Sequence, residues 1–495
     1  MMGPGSATSL LLLLLLLLPR LLSALQVDFR RRDFPSDFVF GAGTSAVQYE
    51  GATAEDGRTP SVMDPEGKIG DEESDGYHKY KEDAKLMSDT GLDAYRFSIS
   101  WSRILPYGRG TVNPKGVEYY NSVLHEITKR GIQPHVTLNH LDLPKVLEDE
   151  YGGWESPKIV DDFKEFANVC FSSFGDRVTR WTTMNEPNVH GMLYWRSCGN
   201  STYTPTYNMV HNMLVSHSEV VRLYRTKYQK HQGGLIGLNS YSFWCQPFSN
   251  SSADVEATER AKNFMFGWLM NPLIFGDYPE TMRKIAKSRL PSFTKSQAEV
   301  LKGSFDFIGL NYYTAAYVSD ISNGSGNIHC FKADIAVDFR VERNDRPARG
   351  PFTIYRVPSD FSGLQKMIEY LMKTYGSHLF FIHENGFAAD VNAGLSDTAR
   401  IEYLKGYIRS MLEAIRSGAQ IRGYFVWSFI DLFEFIGGYN TRFGLYHVDF
   451  DAEDRPRTPR LSAKWYSTFL KNNSTVMSPN IQRDHDLEDL PYSSQ

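Results

Sequence analysis

The chain has 495 residues, a hydrophobic fraction of 41% and a formal net charge of -5 at pH 7. This length and apolar content suffice for a large core, divided among domains or held in one long α/β barrel. The slightly acidic balance gives no basic surface for nucleic acid, which we therefore do not expect as a partner.

The first 25 residues predict a signal peptide. Leucines fill positions 10–18, a run too short to span a membrane, and Ser23 and Ala24 offer small residues for cleavage. No later stretch approaches a membrane helix, so after cleavage we expect no membrane partner and a protein of the extracellular space, cell wall or vacuole. Five Asn-x-Ser/Thr acceptor sites agree with secretion: Asn200, Asn250, Asn323, Asn472 and Asn473.

Short apolar segments alternate with amphipathic ones along the chain. The apolar segments predict eight strands: 38–46, 94–100, 133–139, 179–185, 235–240, 306–311, 379–383 and 423–427. The amphipathic segments predict helices: 77–90, 116–130, 157–174, 208–228, 361–375 and 398–417. This alternation predicts a single-domain (β/α)8, or TIM, barrel over residues 26–475 with long βα loops, followed by a flexible tail at 476–495.

Two predicted strands end in a glutamate beside an asparagine. Asn185 and Glu186 close the fourth strand, and Glu384 and Asn385 close the seventh. Glycosidic bond cleavage needs two such carboxylates, one protonated to donate to the leaving oxygen and one ionised to meet the anomeric carbon. Alone, each residue fits an ordinary structural role, but a barrel would direct all its strand ends to one pocket. Further candidates at strand ends are Gln48, Arg96, His140, Asn311 and Trp427.

The sequence offers no metal or cofactor motif. Gly41-x-Gly43 lacks the third glycine and the helix of a dinucleotide-binding loop. The cysteines lack metal-ligand spacing and, in a secreted protein, allow a disulfide whose pairing stays open among three arrangements. Cys170 lies in an apolar helical segment and is expected to be a buried free thiol. The four cysteines are Cys170, Cys198, Cys245 and Cys330.

At these segments the chain resembles the family 1 glycoside hydrolases, and most closely the plant β-glucosidases, from about residue 34 to 470. The first strand reads FVFGAGTSAVQYEG and the second reads YRFSISWSR, both similar to family signatures. Asn185-Glu186-Pro187 and Glu384-Asn385-Gly386 resemble the two catalytic segments. Trp427-Ser428, followed by Glu434, looks like the last strand and the clamp on the sugar.

The resemblance implies a retaining O-glycosyl hydrolase that releases terminal β-D-glucosyl residues from small glucosides or short oligosaccharides, without cofactor or metal. Glu186 is implied as acid/base and Glu384 as nucleophile, whose negative charge would raise the pKa of Glu186. The implied substrate-binding residues are Gln48, His140, Asn185, Tyr313, Trp427, Glu434 and Phe435. The implied surroundings of the nucleophile are Arg96, Asn311 and Tyr313.

The chain departs from the family pattern at several points. His383 stands where a threonine is usual, and segment 188–207 is shorter than in plant relatives, which predicts an open leaving-group side. The main rival function is a transglucosidase, in which an alcohol or acid acceptor replaces water at the same two glutamates. A sugar-binding pseudoenzyme is disfavoured because both carboxylates are present. The motifs leave open a preference for glucose, fucose or galactose.

Overall fold

The computed structural model describes residues 29–64, 74–193, 205–322, 330–343, 358, 360–390, 394–435 and 437–471. Within these ranges, no helix is both long and apolar enough to cross a membrane. The predicted signal peptide and tail lie outside them.

Eight parallel strands form a closed barrel, which confirms the predicted fold class. They are β1 (Val39–Gly43), β2 (Ala94–Ser98), β3 (Gln133–Asn139), β4 (Arg180–Asn185), β5 (Leu235–Pro247), β6 (Phe307–Asp320), β8 (Leu379–Asn385) and β10 (Gln420–Trp427). Each pairs with its neighbours in chain order, β1 pairs with β10, and β5 pairs with β6. The sheet therefore closes on itself, and all eight strands end at one face.

Helices surround the barrel. The described α-helices are Ala46–Tyr49, Gly76–Thr90, Trp101–Ile104, Pro114–Thr128, Lys145–Tyr151, Ile159–Phe174, Pro187–Leu193, Pro205–Leu223, Gln229–Gln232, Ser252–Lys262, Trp268–Phe275, Glu280–Ala286, Lys295–Leu301, Phe331–Ile335, Gly363–Tyr375, Thr398–Arg416 and Leu461–Lys471. All six predicted helices are present. Their apolar faces bury Phe163, Leu364 and Leu404, for example, against the outside of the barrel.

Two strands run further than predicted. β5 and β6 continue past residues 240 and 311 and pair with each other as far as Pro247 and Val318. Outside the barrel lie β7 (Val337–Arg340), antiparallel to the end of β6, and the pairs β9 (Ala389–Asp390) with β11 (Thr441–Arg442) and β12 (Tyr446–Val448) with β13 (Arg457–Pro459). The extension carries Tyr313 above the rim of the barrel core.

The helices between β5 and β6 were not predicted. Trp268–Phe275 is apolar on nearly every side and contains Pro272, and Ser252–Lys262 has few apolar residues. Neither segment shows the 3.6-residue apolar period on which the prediction of a helix rests.

The barrel interior is filled in layers. One layer joins Ala94, Phe307, Phe381 and Phe425, which come from four different strands. His383 stacks on Phe381, with ring centroids 5.3 Å apart. Every second residue of a strand points into the barrel. The polar residues that point inward nearer the strand ends therefore lie beyond this apolar layer.

Candidate active site

The carboxylate of Glu384, near the end of β8, is held by two donors. Arg96 Nη1 of β2 donates to Glu384 Oε1 at 2.6 Å, and the Tyr313 hydroxyl of β6 donates to Glu384 Oε2 at 2.6 Å. Arg96 and Glu384 are buried, at 1% and 4% exposure. A buried ion pair with hydrogen bonds to both oxygens fixes the carboxylate in orientation.

Tyr313 acts as a donor because its hydroxyl keeps its proton. Burial raises the pKa of Tyr313 well above its ordinary value, and the negative charges of Glu384 and Glu186 raise it further. At neutral pH the phenol therefore donates to Glu384.

Asn185, the last residue of β4, connects the two halves of the site. Its Oδ1 accepts from Arg96 Nη2 at 2.6 Å and from Asn311 Nδ2 at 2.9 Å, while its Nδ2 faces His140 Nε2 at 3.2 Å. Burial and the charge of Arg96 hold the pKa of His140 well below its ordinary value, so the ring is neutral. His140 Nδ1 is buried without a hydrogen-bond partner among the described residues.

Glu186 lies just beyond β4 in a left-handed conformation with φ of 50°. A positive φ is uncommon for a residue with a side chain, and residues in sparsely populated backbone regions cluster at functional sites. Its amide donates to the carbonyl of Asn239 at 3.0 Å, and its Oε1 accepts from Asn311 Nδ2 at 2.8 Å. The turn therefore places a second carboxylate beside the end of β8.

The pKa of Glu186 is raised to about 8 by burial and, second, by the negative charge of Glu384. Sequence reasoning predicted the contribution of Glu384, but burial is the larger cause. The hydrogen bond from Asn311 and the charge of Arg96 oppose the rise. At neutral pH the site thus holds a protonated Glu186 opposite an ion-paired Glu384.

Asn311 lies next to Glu384 in the strand register, as its predicted place in the nucleophile's surroundings requires. Its side chain, however, donates to Glu186 and Asn185, not to Glu384. The pairing of β6 with β8 is irregular between Leu310 and Asn311, and the sequence does not reveal this irregularity.

A second group of predicted residues clusters around the end of β10. Trp427 ends β10, lies parallel to the His140 ring with centroids 5.6 Å apart, and donates from Nε1 to Glu434 Oε1 at 3.1 Å. Gln48 Nε2 donates to the carbonyl of Phe433 at 2.7 Å. Burial, then the negative charges of Glu384, Asp431 and Glu186, raise the pKa of Glu434 well above its ordinary value. Phe435 follows Glu434 and is half-buried.

Sequence reasoning missed one polar residue of the site and gave no role to another. Asn239 interrupts the apolar run of β5, and this signal could have identified it. His383 was noted only as a departure from the family pattern. Their side chains bond to each other, His383 Nδ1 to Asn239 Oδ1 at 2.7 Å.

Several predicted residues lie outside the described ranges: Asn200, Asn323, Asn472, Asn473 and Cys198. The remaining acceptor asparagine, Asn250, is exposed. Cys170 is a buried free thiol, as predicted, and so is Cys245. In the part of the chain that the structure describes, no three His, Cys, Asp or Glu residues come together in a way that could hold a metal ion.

The chain is similar to known proteins over most of its length. It is 52% identical to β-glucosidase 22 of Oryza sativa subsp. japonica over 94% of this chain and 93% of the relative. It is 48% identical to a cyanidin 3-O-glucoside 7-O-glucosyltransferase (acyl-glucose) of Delphinium grandiflorum over 95% of this chain and 94% of the relative. A mutant of a rice β-glucosidase, solved in a covalent complex with glucose, superposes with a TM-score of 0.83 at 38% identity, covering 90% of this chain and all of that one.

The family assignment follows from the match along the whole barrel. The model of "Glycosyl hydrolase family 1" matches residues 30–475, which include both glutamates and every barrel strand. The chain belongs to glycosyl hydrolase family 1.

Proposed function

We propose that this protein is a retaining β-glucosidase that hydrolyses terminal β-D-glucosyl residues from small glucosides or short oligosaccharides. The observation that carries the proposal is the contrast between two buried carboxyl groups. Glu384 is paired with Arg96 and Tyr313, whereas the pKa of Glu186 is raised to about 8. A carboxylate held by two donors, beside a second carboxyl group whose pKa is raised, fits the pairing of a nucleophile with an acid.

The first step forms a glucosyl-enzyme. Glu384 attacks the anomeric carbon, while Glu186 gives its proton to the glycosidic oxygen as the bond to the leaving group breaks. The covalent glucose complex of the rice relative supports an intermediate of this kind. Arg96 and Tyr313 aim the carboxylate of Glu384 and release it as its charge is consumed.

The second step uses the same two residues in reverse. Once Glu384 is an ester, its negative charge no longer raises the pKa of Glu186, which ionises more readily. Glu186 then takes a proton from water, and the hydroxide attacks the anomeric carbon and expels Glu384. Two inversions at one carbon retain the β configuration.

The residues on the other side of the pocket are assigned to the sugar. Trp427 offers a flat indole on which a pyranose ring can lie, with Phe435 nearby, and Gln48, His140, Asn185 and Glu434 offer polar atoms for its hydroxyls. The parallel stacking of His140 and Trp427 and the bond between Trp427 and Glu434 support one continuous subsite.

Covalent trapping tests the assignment of the nucleophile. A 2-deoxy-2-fluoroglucoside with a good leaving group is expected to label Glu384, identified by mass spectrometry of a digest. Label on another residue, or turnover of 4-nitrophenyl β-glucoside without any label, would contradict the proposal. A panel of 4-nitrophenyl glucoside, fucoside and galactoside determines which sugar is preferred.

A second candidate function is transglucosylation to an alcohol or acid acceptor. The specific observation in its favour is the 48% identity to a glucosyltransferase that is named for an acyl-glucose. Hydrolysis and transfer share Glu384 and Glu186 and differ in whether water or an acceptor reaches the glucosyl-enzyme. An acyl-glucose donor supplied with and without a phenolic acceptor distinguishes them, since a transferase yields the glucosylated acceptor in place of free glucose.

We further propose that the protein is secreted, glycosylated and disulfide-bonded. The N-terminal leucine run and the exposed acceptor Asn250 support secretion and glycosylation. Because Cys170 and Cys245 are free thiols, the pair left for a disulfide is Cys198 and Cys330. Mass spectrometry of protein expressed in a plant secretory pathway tests all three: we expect a mature N-terminus near residue 26, a glycan on Asn250 and a Cys198–Cys330 peptide.

A further inference from the structure

The side chains of His383 and Asn239 meet inside the barrel, beneath the pocket. Both are buried, with exposures of 1% and 0%. Asn239 is on β5 and His383 on β8, and both strands pair with β6, which lies between them. Strands two positions apart are separated by roughly 9 to 10 Å, so a hydrogen bond between their side chains needs long polar groups that reach across.

The bond has a defined direction. His383 Nδ1 lies 2.7 Å from Asn239 Oδ1, and His383 Nε2 lies 3.3 Å from His135 Nδ1. Burial holds the pKa of both histidines well below the ordinary value, so each is neutral with one ring proton. Because Asn239 Oδ1 accepts, the proton of His383 is on Nδ1, which donates to Asn239 and leaves His383 Nε2 as an acceptor facing His135 Nδ1.

A glycine on β6 makes room for this bond. A Cβ at Gly309 would lie 1.6 Å from Asn239 Oδ1 and 2.7 Å from His383 Nδ1. Any side chain at this position would therefore push the two groups apart. β6 passes between the partners without a side chain at the level where they meet.

Each of the two residues is joined to a catalytic glutamate through the backbone, His383 by a peptide bond and Asn239 by a hydrogen bond. His383 precedes Glu384 in the chain, and the carbonyl of Asn239 accepts the amide of Glu186 at 3.0 Å. Asn239 Nδ2 also approaches Asn185 Oδ1, at 3.5 Å. The backbone of Glu186 is in the left-handed region, where it needs support from its surroundings.

We propose that His383 and Asn239 are positioning residues whose hydrogen bond fixes the segment of Glu186 relative to that of Glu384. The inference rests on the proposed function, because it assigns these two side chains a role in aligning its acid/base and nucleophile. Neither side chain contacts the substrate. Their effect is on the distance and angle between the two carboxyl groups, to which a double displacement is sensitive.

The test compares variants by kcat per active site, counted by trapping with a 2-deoxy-2-fluoroglucoside. His383→Leu, which keeps bulk but removes the donor, is expected to lower kcat on an alkyl glucoside on the order of 10- to 100-fold, with KM changed less than about threefold. His383→Gln, which retains an N–H donor on a long side chain, is expected to recover most of that loss. Gly309→Ala tests the same bond without altering either partner and is expected to resemble His383→Leu.

A double-variant cycle identifies the partner. Asn239→Leu alone is expected to match His383→Leu, and the two together are expected to be no worse than either, because one bond is lost in all three. The matched control is Ile382→Val, adjacent to His383 on β8 but packed in the cluster outside the barrel. It is expected to lower the melting temperature and leave kcat per active site unchanged.

Three outcomes would overturn the inference. The first is a kcat per active site within about twofold of wild type in both His383→Leu and Gly309→Ala. The second is a His383→Gln variant as slow as His383→Leu, and the third is a pair of losses that multiply when His383→Leu and Asn239→Leu are combined. Each would make His383 a packing residue only. The proposed function is tested separately, by the turnover of the wild-type protein alone. A wild-type protein without glucosidase or transglucosidase turnover refutes that function, whereas active wild type with unaffected variants refutes only the positioning role.

Discussion

The hydrogen bond from Asn311 to Glu186 is expected to influence how kcat/KM depends on pH. Asn311 Nδ2 donates to Glu186 Oε1 at 2.8 Å, and this bond lowers the pKa of Glu186 against the larger effect of burial. Replacing Asn311 by Leu keeps a similar volume and removes the donor. We therefore expect the pKa of Glu186 to rise above its wild-type value of about 8.

The size of the shift follows from the strength of the bond. A hydrogen bond to a charged group contributes about 1.5 to 3 kcal/mol, and the neutral acid retains roughly half of that interaction. The difference between the two protonation states is thus about 0.75 to 1.5 kcal/mol, which corresponds to about 0.5 to 1 pH unit. Because Asn311 also donates to Asn185 at 2.9 Å, kcat is expected to fall as well.

The assay is kcat/KM against pH for an alkyl glucoside, whose poor leaving group makes protonation by Glu186 necessary. Activity requires protonated Glu186, so kcat/KM falls as the pH rises through its pKa in the free enzyme. Wild type is expected to lose activity near pH 8, and Asn311→Leu about 0.5 to 1 pH unit higher. Tyr312→Phe, on the same strand but packed against Tyr407 of an outer helix, is the matched control and should not shift the profile.

A basic limb of the kcat/KM profile that stays in place in Asn311→Leu, or moves to lower pH, would contradict this prediction. A fall in kcat without any shift would mean that Asn311 aligns Asn185 and has no effect on the proton of Glu186.

Four further predictions concern the same pocket. Glu186→Gln is expected to raise the free energy of unfolding by about 3 kcal/mol at pH 7. The reason is that a carboxyl group whose pKa rises on folding from 4.5 to about 8 gives stability that is complete below pH 4.5 and is lost as the pH rises toward 8. Denaturation at low and at neutral pH measures the gain, and an equal gain at both pH values would contradict the prediction. Glu186→Ala should slow alkyl glucosides far more than 4-nitrophenyl glucosides and form β-glucosyl azide when azide is added, whereas equal slowing without azide product would make Glu186 structural. Trp427→Ala should raise KM and lower kcat in a folded protein, and a collapse of thermal stability with normal binding of glucose analogues would favour a role in the core alone. The short segment 188–207 predicts weak selection among leaving groups. The measurement is kcat/KM across glucosides whose leaving groups differ in bulk. A spread of several hundredfold, which corresponds to more than about 3 kcal/mol, would show a formed pocket instead.

Some features of the site follow from the amino-acid sequence, and others depend on the tertiary structure. The apolar strands and their polar ends depend on local composition, so the alternation predicts the barrel, and the barrel predicts that Glu186 and Glu384 share one face. Buried parallel strands read as continuous apolar runs, which is why an Asn-Glu pair at the end of two such runs is informative. The extensions of β5 and β6 were missed because each strand becomes regular only by pairing with the other.

The sequence by itself predicted the fold class and the two candidate carboxylates, because these depend on residue type and on position along a strand, and the family resemblance implied most of the residues around them. Only the tertiary structure decided what surrounds each group. Burial, more than the neighbouring charge, raises the pKa of Glu186, and the Asn311 side chain donates to Glu186 and Asn185 rather than to Glu384. The His383–Asn239 bond depends on a third strand that presents Gly309 at the level where they meet. Such contacts join residues 70 or more positions apart, and their geometry exists only once the barrel has closed.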